Sequence, residues 1–373
     1  MWKGRQGIIE PTGFGALLRQ VASSFFFDSF KFTTCVLIAA LILSGCGIRL
    51  EWPDKEKAPV YFVNISPNTE QIAARHYPNF VTTSTVDSRE DKCKWFVNYS
   101  WREPIFTPNG EQLLIDRFHD VLMDLIGYSS EFVFYDIKTC KRVRSYAVAG
   151  KGGTYSLEFS NAGRYLVRGS SDSHKHKAHV QQIESDTGQI VREWNYESSH
   201  GPSVALSSDG SLLAIGLAQH KNMEDAEGDL DHHIGRVILV DFTSGEVIRD
   251  WIESETNGIA AVDTSSDGEL LALGFRDGTV KVLHWRSETP TTITQLEGVV
   301  DKLMISPDDR VVFFRSLEDG KSLFAYRLDS GEQMHEIEFD GPIHDFDISA
   351  DSETLVVGST RNTIKIVDLS KEI

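Results

Sequence analysis

The sequence lacks the short motifs that mark the common catalytic families. Its 373 residues contain no Gly-x-Ser-x-Gly elbow, no Gly-x-Gly-x-x-Gly loop, no Walker motif and no His-Glu-x-x-His pair. Each of these motifs builds one kind of site, for a nucleophilic serine, a dinucleotide, a nucleotide phosphate or a zinc ion. We therefore expect no catalytic residue and no cofactor.

Basic residues are also in the minority. The chain has 37 Lys and Arg against 55 Asp and Glu, a net charge of −18. Residues 1–45 carry a net charge of +2, so the chain that follows them stands at −20. Such a chain repels phosphates, and nucleic acid and anionic lipid headgroups are therefore not expected as partners.

Apolar runs are short. A stretch of nine apolar residues, Cys35–Leu43, follows Lys31 and leads into Ser-Gly-Cys46. Spanning a bilayer takes about 18 apolar residues or more, and Asp28 interrupts any upstream extension. A transmembrane helix and a buried core segment are therefore the less favoured alternatives. A basic residue, a short apolar core and small residues in this order are typical of a secretory signal.

Leu43, Ser44, Gly45 and Cys46 resemble the lipobox of bacterial lipoproteins. The resemblance implies that the Cys46 sulfur receives a diacylglyceryl group, with palmitate as a typical acyl chain, and that cleavage makes Cys46 the mature N-terminus. It implies a lipid anchor at the cell envelope, on the periplasmic or extracytoplasmic side, with the outer membrane favoured over the inner. Membrane attachment would then depend on the acyl chains.

One pattern recurs through the rest of the chain: an apolar strand, a tight Ser/Asp/Gly turn, then two further strands separated by turns. Ser and Asp side chains bond to their own backbone in such turns, and Gly accepts positive φ. We call the Ser or Thr that opens each turn the anchor residue. The anchors are Ser66, Thr107, Ser160, Ser207, Ser265, Ser306 and Ser349. Their spacing of 41 to 58 residues is that of propeller blades.

Residues 59–373 resemble WD40-like repeats, most clearly in SSDGELLALGFRDGTVKVLHW and ISADSETLVVGSTRNTIKIVDL. The Trp-Asp pair that names the family is replaced, for example by Tyr135-Asp136 and Val240-Asp241, and the Gly-His pair is missing. The resemblance implies an all-β protein, a single β-propeller of degenerate repeats. Three segments are expected: an N-terminal extension with signal peptide (1–45), a lipidated N-terminus with linker or closing strand (46–58), and the propeller (59–373).

Seven anchors predict seven four-stranded blades. The last repeat ends on its third strand, so Ile48–Trp52 could supply the fourth and close the ring. The first repeat is weak, because the polar run Asp87–Lys92 interrupts it and clean glycine turns are missing. A six-bladed ring with an N-terminal extension is the alternative.

Three consecutive repeats carry extra length between their second and third strands, at Arg117–Glu131, Ser170–His179 and Gln219–Gly235. We predict irregular loops that form a partner-binding lip on one face of the ring, since long loops on rigid scaffolds often bind. Neutral drift is the alternative. The candidate residues in these loops are His174, His176, His179, Asp229, Asp231, His232 and His233. No metal site is expected, although His174, His176, His179, His232 and His233 are weak candidates.

Four cysteines occur in the chain. Cys35 would leave with the signal and Cys46 would carry the lipid, so Cys93 and Cys140 remain as a possible disulfide. Cys140 takes the glycine position of a Ser-Gly turn, as comparison with Ser244-Gly245 indicates. Two unpaired thiols are the alternative.

These expectations favour a membrane-tethered, non-catalytic protein-interaction scaffold of the bacterial cell envelope, with a protein partner there. Two alternatives stay open: an envelope hydrolase or other metal-dependent enzyme built on a propeller, and a lipoprotein of outer-membrane protein assembly. Neither the partner nor the oligomeric state follows from the sequence.

Replacing Cys46 with Ala tests the anchor. Cys46→Ala should abolish acylation and release the protein from membranes washed in high salt, because the acyl chains are the predicted attachment. Labelling with radioactive palmitate and membrane fractionation measure this. Cys35→Ala, inside the apolar run, is the matched control and should remain acylated. Membrane retention of Cys46→Ala after the wash would contradict the lipoprotein interpretation.

Overall fold

The computed structural model describes residues 58–372 except 78–79, 89, 98–101, 119–127, 151, 173–174, 221–232, 288–290, 319 and 361–362. The predicted lipobox residues Leu43, Ser44, Gly45 and Cys46 lie outside the described residues, as does the predicted closing strand Ile48–Trp52. In the part that is described, no helix is long and apolar enough to cross a membrane.

The described chain forms 27 β-strands and one short helix, α1 (Leu369–Glu372), arranged in seven antiparallel sheets. The first three blades contain β1 (Val60–Ile65), β2 (Gln71–His76), β3 (Phe80–Thr85), β4 (Asp91–Phe96); β5 (Ile105–Phe106), β6 (Gln112–Phe118), β7 (Tyr128–Asp136), β8 (Arg142–Ala149); β9 (Gly153–Phe159), β10 (Tyr165–Asp172), β11 (Lys177–Glu184) and β12 (Ile190–Glu197).

Blades 4 to 7 continue in the same order. They contain β13 (Ser203–Leu206), β14 (Leu212–His220), β15 (His233–Asp241), β16 (Val247–Ser254); β17 (Ile259–Thr264), β18 (Leu270–Phe275), β19 (Thr279–His284), β20 (Thr291–Gln295); β21 (Lys302–Ile305), β22 (Val311–Arg315), β23 (Ser322–Arg327), β24 (Gln333–Glu338); β25 (Ile343–Ile348), β26 (Thr354–Ser359) and β27 (Ile364–Asp368).

The prediction of a seven-bladed, all-β propeller is confirmed, and the six-bladed alternative is wrong. The weak first repeat forms a complete four-stranded sheet, because its polar run lies in the connection to β4 and at the start of that outer strand. Six of the sheets have four strands, and the seventh has the three strands β25, β26 and β27 among the described residues.

The anchor turns form as their sequence predicts. In blade 4 the backbone N–H of Leu212 donates to the Ser207 hydroxyl at 2.9 Å, and that hydroxyl donates to Asp209 Oδ1 at 2.6 Å. Gly210 N–H then donates to the Ser207 carbonyl at 2.8 Å, with Gly210 at φ 73°. The Ser, Asp and Gly of the motif therefore satisfy the polar groups of a tight reversal between the first two strands.

Seven buried apolar clusters hold the blades together, one at each junction between neighbouring blades. The cluster at the junction of blades 7 and 1 packs Val356 of β26 against Val60 and Val63 of β1. The ring is therefore closed by the same kind of core that joins every other pair of blades. Burial of about 25 cal/mol per Å² of apolar surface makes these clusters the main stabilising term.

The two faces of the ring differ. We call the face that carries the anchor turns the turn face. The opposite face carries the connections between second and third strands, and we call it the loop face.

The prediction of an irregular loop at Ser170–His179 is wrong. This segment is mostly a pair of strands, with Ser170 opposite His179 and Asp172 opposite Lys177. Pairing satisfies backbone N–H and C=O groups that an irregular loop would leave to water. The centres of the other two, 119–127 and 221–232, lie outside the described residues.

Ring closure also depends on Asp347 of β25. Its Oδ2 accepts the backbone N–H of Ile65 and the side-chain amide of Asn64, both at 2.8 Å. Asp347→Ala should lower the free energy of unfolding by about 1 to 3 kcal/mol, because a buried N–H loses its acceptor. Asp347→Asn keeps an acceptor and should lose less. Urea unfolding measures both, with the exposed Asp329→Ala as control. Equal stability of Asp347→Ala and the parent would contradict this role.

Candidate functional site

The centre of the ring is a cavity of about 600 Å³. Its lining runs from Arg102, Tyr155 and His344 at the loop face to Pro67 and Ala350 at the turn face. Side chains two residues apart on a strand point to the same side. Two positions of each repeat, two and four residues before the anchor, therefore supply two layers of side chains to the wall.

The lower layer, two residues before each anchor, alternates polar and apolar side chains from blade to blade. It consists of Asn64, Ile105, Glu158, Ala205, Asp263, Met304 and Asp347. The upper layer, four residues before each anchor, consists of Phe62, Glu103, Ser156, Ser203, Ala261, Lys302 and Asp345.

The carboxylates of the lower layer bond to the backbone of the next blade. Glu158 Oε2 accepts the N–H of Leu206 at 2.9 Å, and Asp263 Oδ2 accepts the N–H of Ile305 at 2.7 Å. Burial raises the pKa of Asp263 and of Asp347 to about 6, and it raises that of Glu158 well above its usual range. The positive charge of Lys302 acts against that rise at Asp263 and at Asp347.

The upper layer holds an ion group centred on Lys302. Its Nζ lies 2.5 Å from Asp345 Oδ1 and 3.2 Å from Glu103 Oε2. Burial opposes the charge on Lys302, but Asp345 and Glu103 raise its pKa above the usual value, so it stays protonated. Burial raises the pKa of Asp345, and Lys302 acts against that rise. The cation of this layer is thus already paired.

Aromatic and basic side chains lie together at the loop face, and three of them, Arg102, Tyr155 and His344, line the cavity. We call this group the mouth patch: Tyr61, Tyr77, Arg102, Tyr155 and His344. The Tyr61 and His344 rings stack at 4.4 Å, and the Tyr77 ring lies 5.9 Å from Tyr61. The Arg102 guanidinium lies 5.2 Å from the Tyr155 ring. Tyr77 is 58% exposed and Tyr155 is 41% exposed, so large apolar surface faces solvent here.

The charged groups that line the whole cavity are unbalanced. Three cations, Arg102, Lys302 and Arg315, face six carboxyl groups: Glu103, Glu158, Asp263, Asp301, Asp345 and Asp347. Arg315 pairs with Asp301 at 2.6 Å, and Arg102 Nε donates to the Thr154 carbonyl at 2.5 Å. The lining of the cavity therefore contains more carboxyl groups than basic groups.

Of the predicted histidine residues, the structure describes His176, His179 and His233. His174, Asp229, Asp231 and His232 lie outside the described residues. His179 lies on β11, where its Nδ1 lies 2.5 Å from Asn195 Oδ1 and 3.8 Å from a carboxylate oxygen of Glu193.

His176 and His233 join a row that the sequence did not predict as a unit. The ring centroids of His176 and His220 are 5.4 Å apart, those of His220 and His233 5.0 Å, and those of His233 and His200 5.0 Å. Burial, with nearby Arg276, lowers the pKa of His200 to about 4. Among the described residues, no three His, Cys, Asp or Glu side chains converge well enough to hold a metal ion.

The structure joins Cys93 of β4 to Cys140 by a disulfide, with the two Cα atoms 5.5 Å apart. Cys140 follows β7 in blade 2 and has φ 58°, a conformation that Gly188 and Gly245 supply in the equivalent turns of blades 3 and 4. The Trp95 indole N–H, also on β4, donates to the Cys140 carbonyl at 2.9 Å. This outer contact therefore links blades 1 and 2 covalently.

The sequence analysis did not identify the residues that line the central cavity. These residues lie two and four positions before each anchor. The position two before the anchor carries Glu158, Asp263 and Asp347 in three of the repeats. A carboxylate at the same place in three repeats was the available signal. Strand periodicity alone does not tell which face of an inner strand lines the channel.

The fold and the repeats together define the class of protein, which is a seven-bladed β-propeller with WD40-like repeats. The family model described as WD40 (WD domain, G-beta repeat) matches residues 245–283, from the turn before β16 through β19. The chain is similar to the Schizosaccharomyces pombe protein "Target of rapamycin complex subunit wat1", with 24% identity over 182 residues. That alignment covers 48% of this chain and spans only 56% of the relative's length.

The contribution of the disulfide can be measured in a Cys93→Ser background. Adding Cys140→Ser or Cys140→Gly removes both thiols, and either pair should lose about 2 to 4 kcal/mol of unfolding free energy, because the unfolded chain is no longer crosslinked. The glycine variant should be more stable than the serine variant by roughly 1 kcal/mol, since φ 58° suits glycine. Urea unfolding without reductant measures this. Unfolding of both variants at the parent's midpoint would contradict a stabilising disulfide.

Proposed function

We propose that the protein is a membrane-tethered, non-catalytic protein-interaction scaffold of the bacterial cell envelope. The observation that carries the proposal is the mouth patch, where Tyr77 and Tyr155 expose large aromatic surface on the loop face of a rigid ring. Aromatic side chains are enriched at protein interfaces, because they bury much area with few rotatable bonds. WD40-like repeats support the same class of function, and the similar yeast protein is named as a subunit of a complex.

The tether is proposed from the lipobox resemblance. Eleven residues, 47–57, separate Cys46 from Ala58, the first described residue. An extended chain spans at most about 3.5 Å per residue, so this linker would hold the propeller within about 40 Å of the bilayer surface. The localisation we propose is the extracytoplasmic side of the envelope, with the outer membrane favoured. A short tether concentrates the scaffold where a membrane-bound partner would be.

The partner-binding face can be tested by site-specific photo-crosslinking. A photoreactive phenylalanine analogue at Tyr77 or Tyr155 should form a discrete adduct with an envelope protein, because these side chains are exposed at the mouth patch. The same analogue at Asp186 or Asp329, exposed in turn-face loops, is the matched control. Mass spectrometry identifies the adducts. The same adducts in the same yield from both faces would contradict a loop-face interaction.

A further inference from the structure

We infer that four histidines at the loop face form an acid-sensitive contact between blades 3 and 4. We call them the histidine row: His176, His220, His233 and His200, in the order of their ring contacts. The row stays together while its imidazoles are neutral and separates when they take up protons. This inference needs neither the lipid anchor nor the partner-binding face proposed above.

The row joins two parts of the ring. His176 lies at the tip of the hairpin formed by β10 and β11, and His200 lies in the connection between β12 and β13. His220 ends β14 and His233 begins β15, so these two belong to blade 4. Consecutive ring centroids are 5.0 to 5.4 Å apart. The hairpin tip and the connection therefore both contact the loop-face end of blade 4 through imidazole rings.

The hydrogen bonds beside the row fit neutral histidines. The backbone N–H and the hydroxyl of Ser199 both donate to the Ala218 carbonyl of β14, at 2.8 and 2.7 Å. Because the hydroxyl hydrogen points to Ala218, the Ser199 oxygen can accept the Nδ1–H groups of His200 and His233, each 3.1 Å away. Any further proton on these two rings must therefore bind at Nε2.

The row offers little to a protonated imidazole. Both ring nitrogens of the charged form donate hydrogen bonds, but Nδ1 of His176 is buried without a hydrogen-bond partner. Among the described residues, no carboxylate lies within ion-pair distance of His176, His200 or His220. Two protonated rings about 5 Å apart would also repel each other. Protonation is therefore opposed as long as the rings stay in contact.

Charged side chains of both signs lie on the elements packed against the row. In the described part of the chain they are Asp172, Lys175, Lys177, Glu197, Glu255, Arg276 and Asp277. Asp172 lies 3.8 Å from Lys175, and Glu197 lies opposite Lys177 in the strand pair. Each of these two carboxylates thus has a lysine as its neighbour. The connection 221–232 adds Lys221, His232 and five carboxyl groups in the sequence, and it lies outside the described residues.

The pKa values give the direction of the pH effect. Burial, Arg276 and the neighbouring histidines lower the pKa of His200 from 6.5 to about 4, and burial with His176 lowers that of His220. The joined row therefore binds fewer protons than the separated row between these pH values, and acid favours separation. For His200 alone, the shift multiplies the equilibrium constant for separation by about 30 between pH 7.5 and pH 5.

The primary experiment is hydrogen–deuterium exchange of the full chain at pH 7.5 and pH 5, corrected for the intrinsic pH dependence of exchange. The reporters are the amides of Ser198 and Ser199, which donate to the carbonyls of His176 and Ala218. We expect their protection to fall about ten-fold or more in acid. The amides of Leu317 and Phe339, hydrogen-bonded at the loop face of blade 6, should change less than about three-fold.

Two double variants test whether the histidines cause the change. His200→Gln/His220→Gln removes two titrating rings and should limit the acid-induced loss of protection to less than about three-fold. His284→Gln/His335→Gln, in blades 5 and 6, is the matched control and should keep the loss seen in the parent. Three results would each overturn the inference: no loss in the parent, the same loss in the row variant, or the same loss at the blade 6 amides.

A second measurement needs no substitution and stands even if the row variant fails to fold. In the full chain labelled with ¹⁵N-histidine, the imidazole nitrogen signals report the protonation of each ring as the pH is lowered. We expect one ring, that of His200, to titrate near pH 4 and to carry its hydrogen on Nδ1 at pH 7.5. Titration of every histidine near the ordinary pKa of about 6.5 would overturn the inference.

Discussion

The structure depends on one repeated interaction: a side chain of one inner strand accepts a backbone N–H from the inner strand of the next blade. Asn64, Glu158, Asp263 and Asp347 each occupy the position two before their anchor. Each accepts the N–H of the residue just before the following anchor. Inner strands have no partner on their channel side, so these bonds satisfy groups that would otherwise be buried and unpaired.

The same side chains form part of the wall of the cavity, so residues that join the blades also set the polarity of its lining. A carboxylate accepts a backbone N–H more strongly than an amide does, which favours Asp and Glu as inter-blade acceptors. These acceptors therefore place carboxyl groups in a cavity whose lining contains few basic side chains. Burial raises the pKa of Asp263 and Asp347, and the inter-blade hydrogen bonds and the charge of Lys302 act against that rise.

The fold was largely predictable because each repeat contains its own turn chemistry. Ser207, Asp209 and Gly210 satisfy one another within a few residues, and that local signal recurs at every anchor. The local sequence pattern did not indicate that residues 170–179 extend a β-hairpin, because polar side chains are compatible with both a loop and an exposed pair of strands. The residues that line the cavity were not predicted for a related reason. In the sequence pattern Glu158 is indistinguishable from a solvent-exposed strand residue, and only the closed ring of seven inner strands places it in the cavity.

An odd number of blades explains why the lower layer contains an asparagine. Polar acceptors alternate with Ile105, Ala205 and Met304 around the ring, but seven positions cannot alternate and close. Blades 7 and 1 must therefore place two acceptors side by side. Two carboxylates there would repel, whereas Asn64 donates its amide N–H to Asp347 at 2.8 Å and still accepts the N–H of Phe106 at 2.9 Å. The closing junction thus keeps its hydrogen bonds, and the negative charge of the layer stays at three blades that are not adjacent.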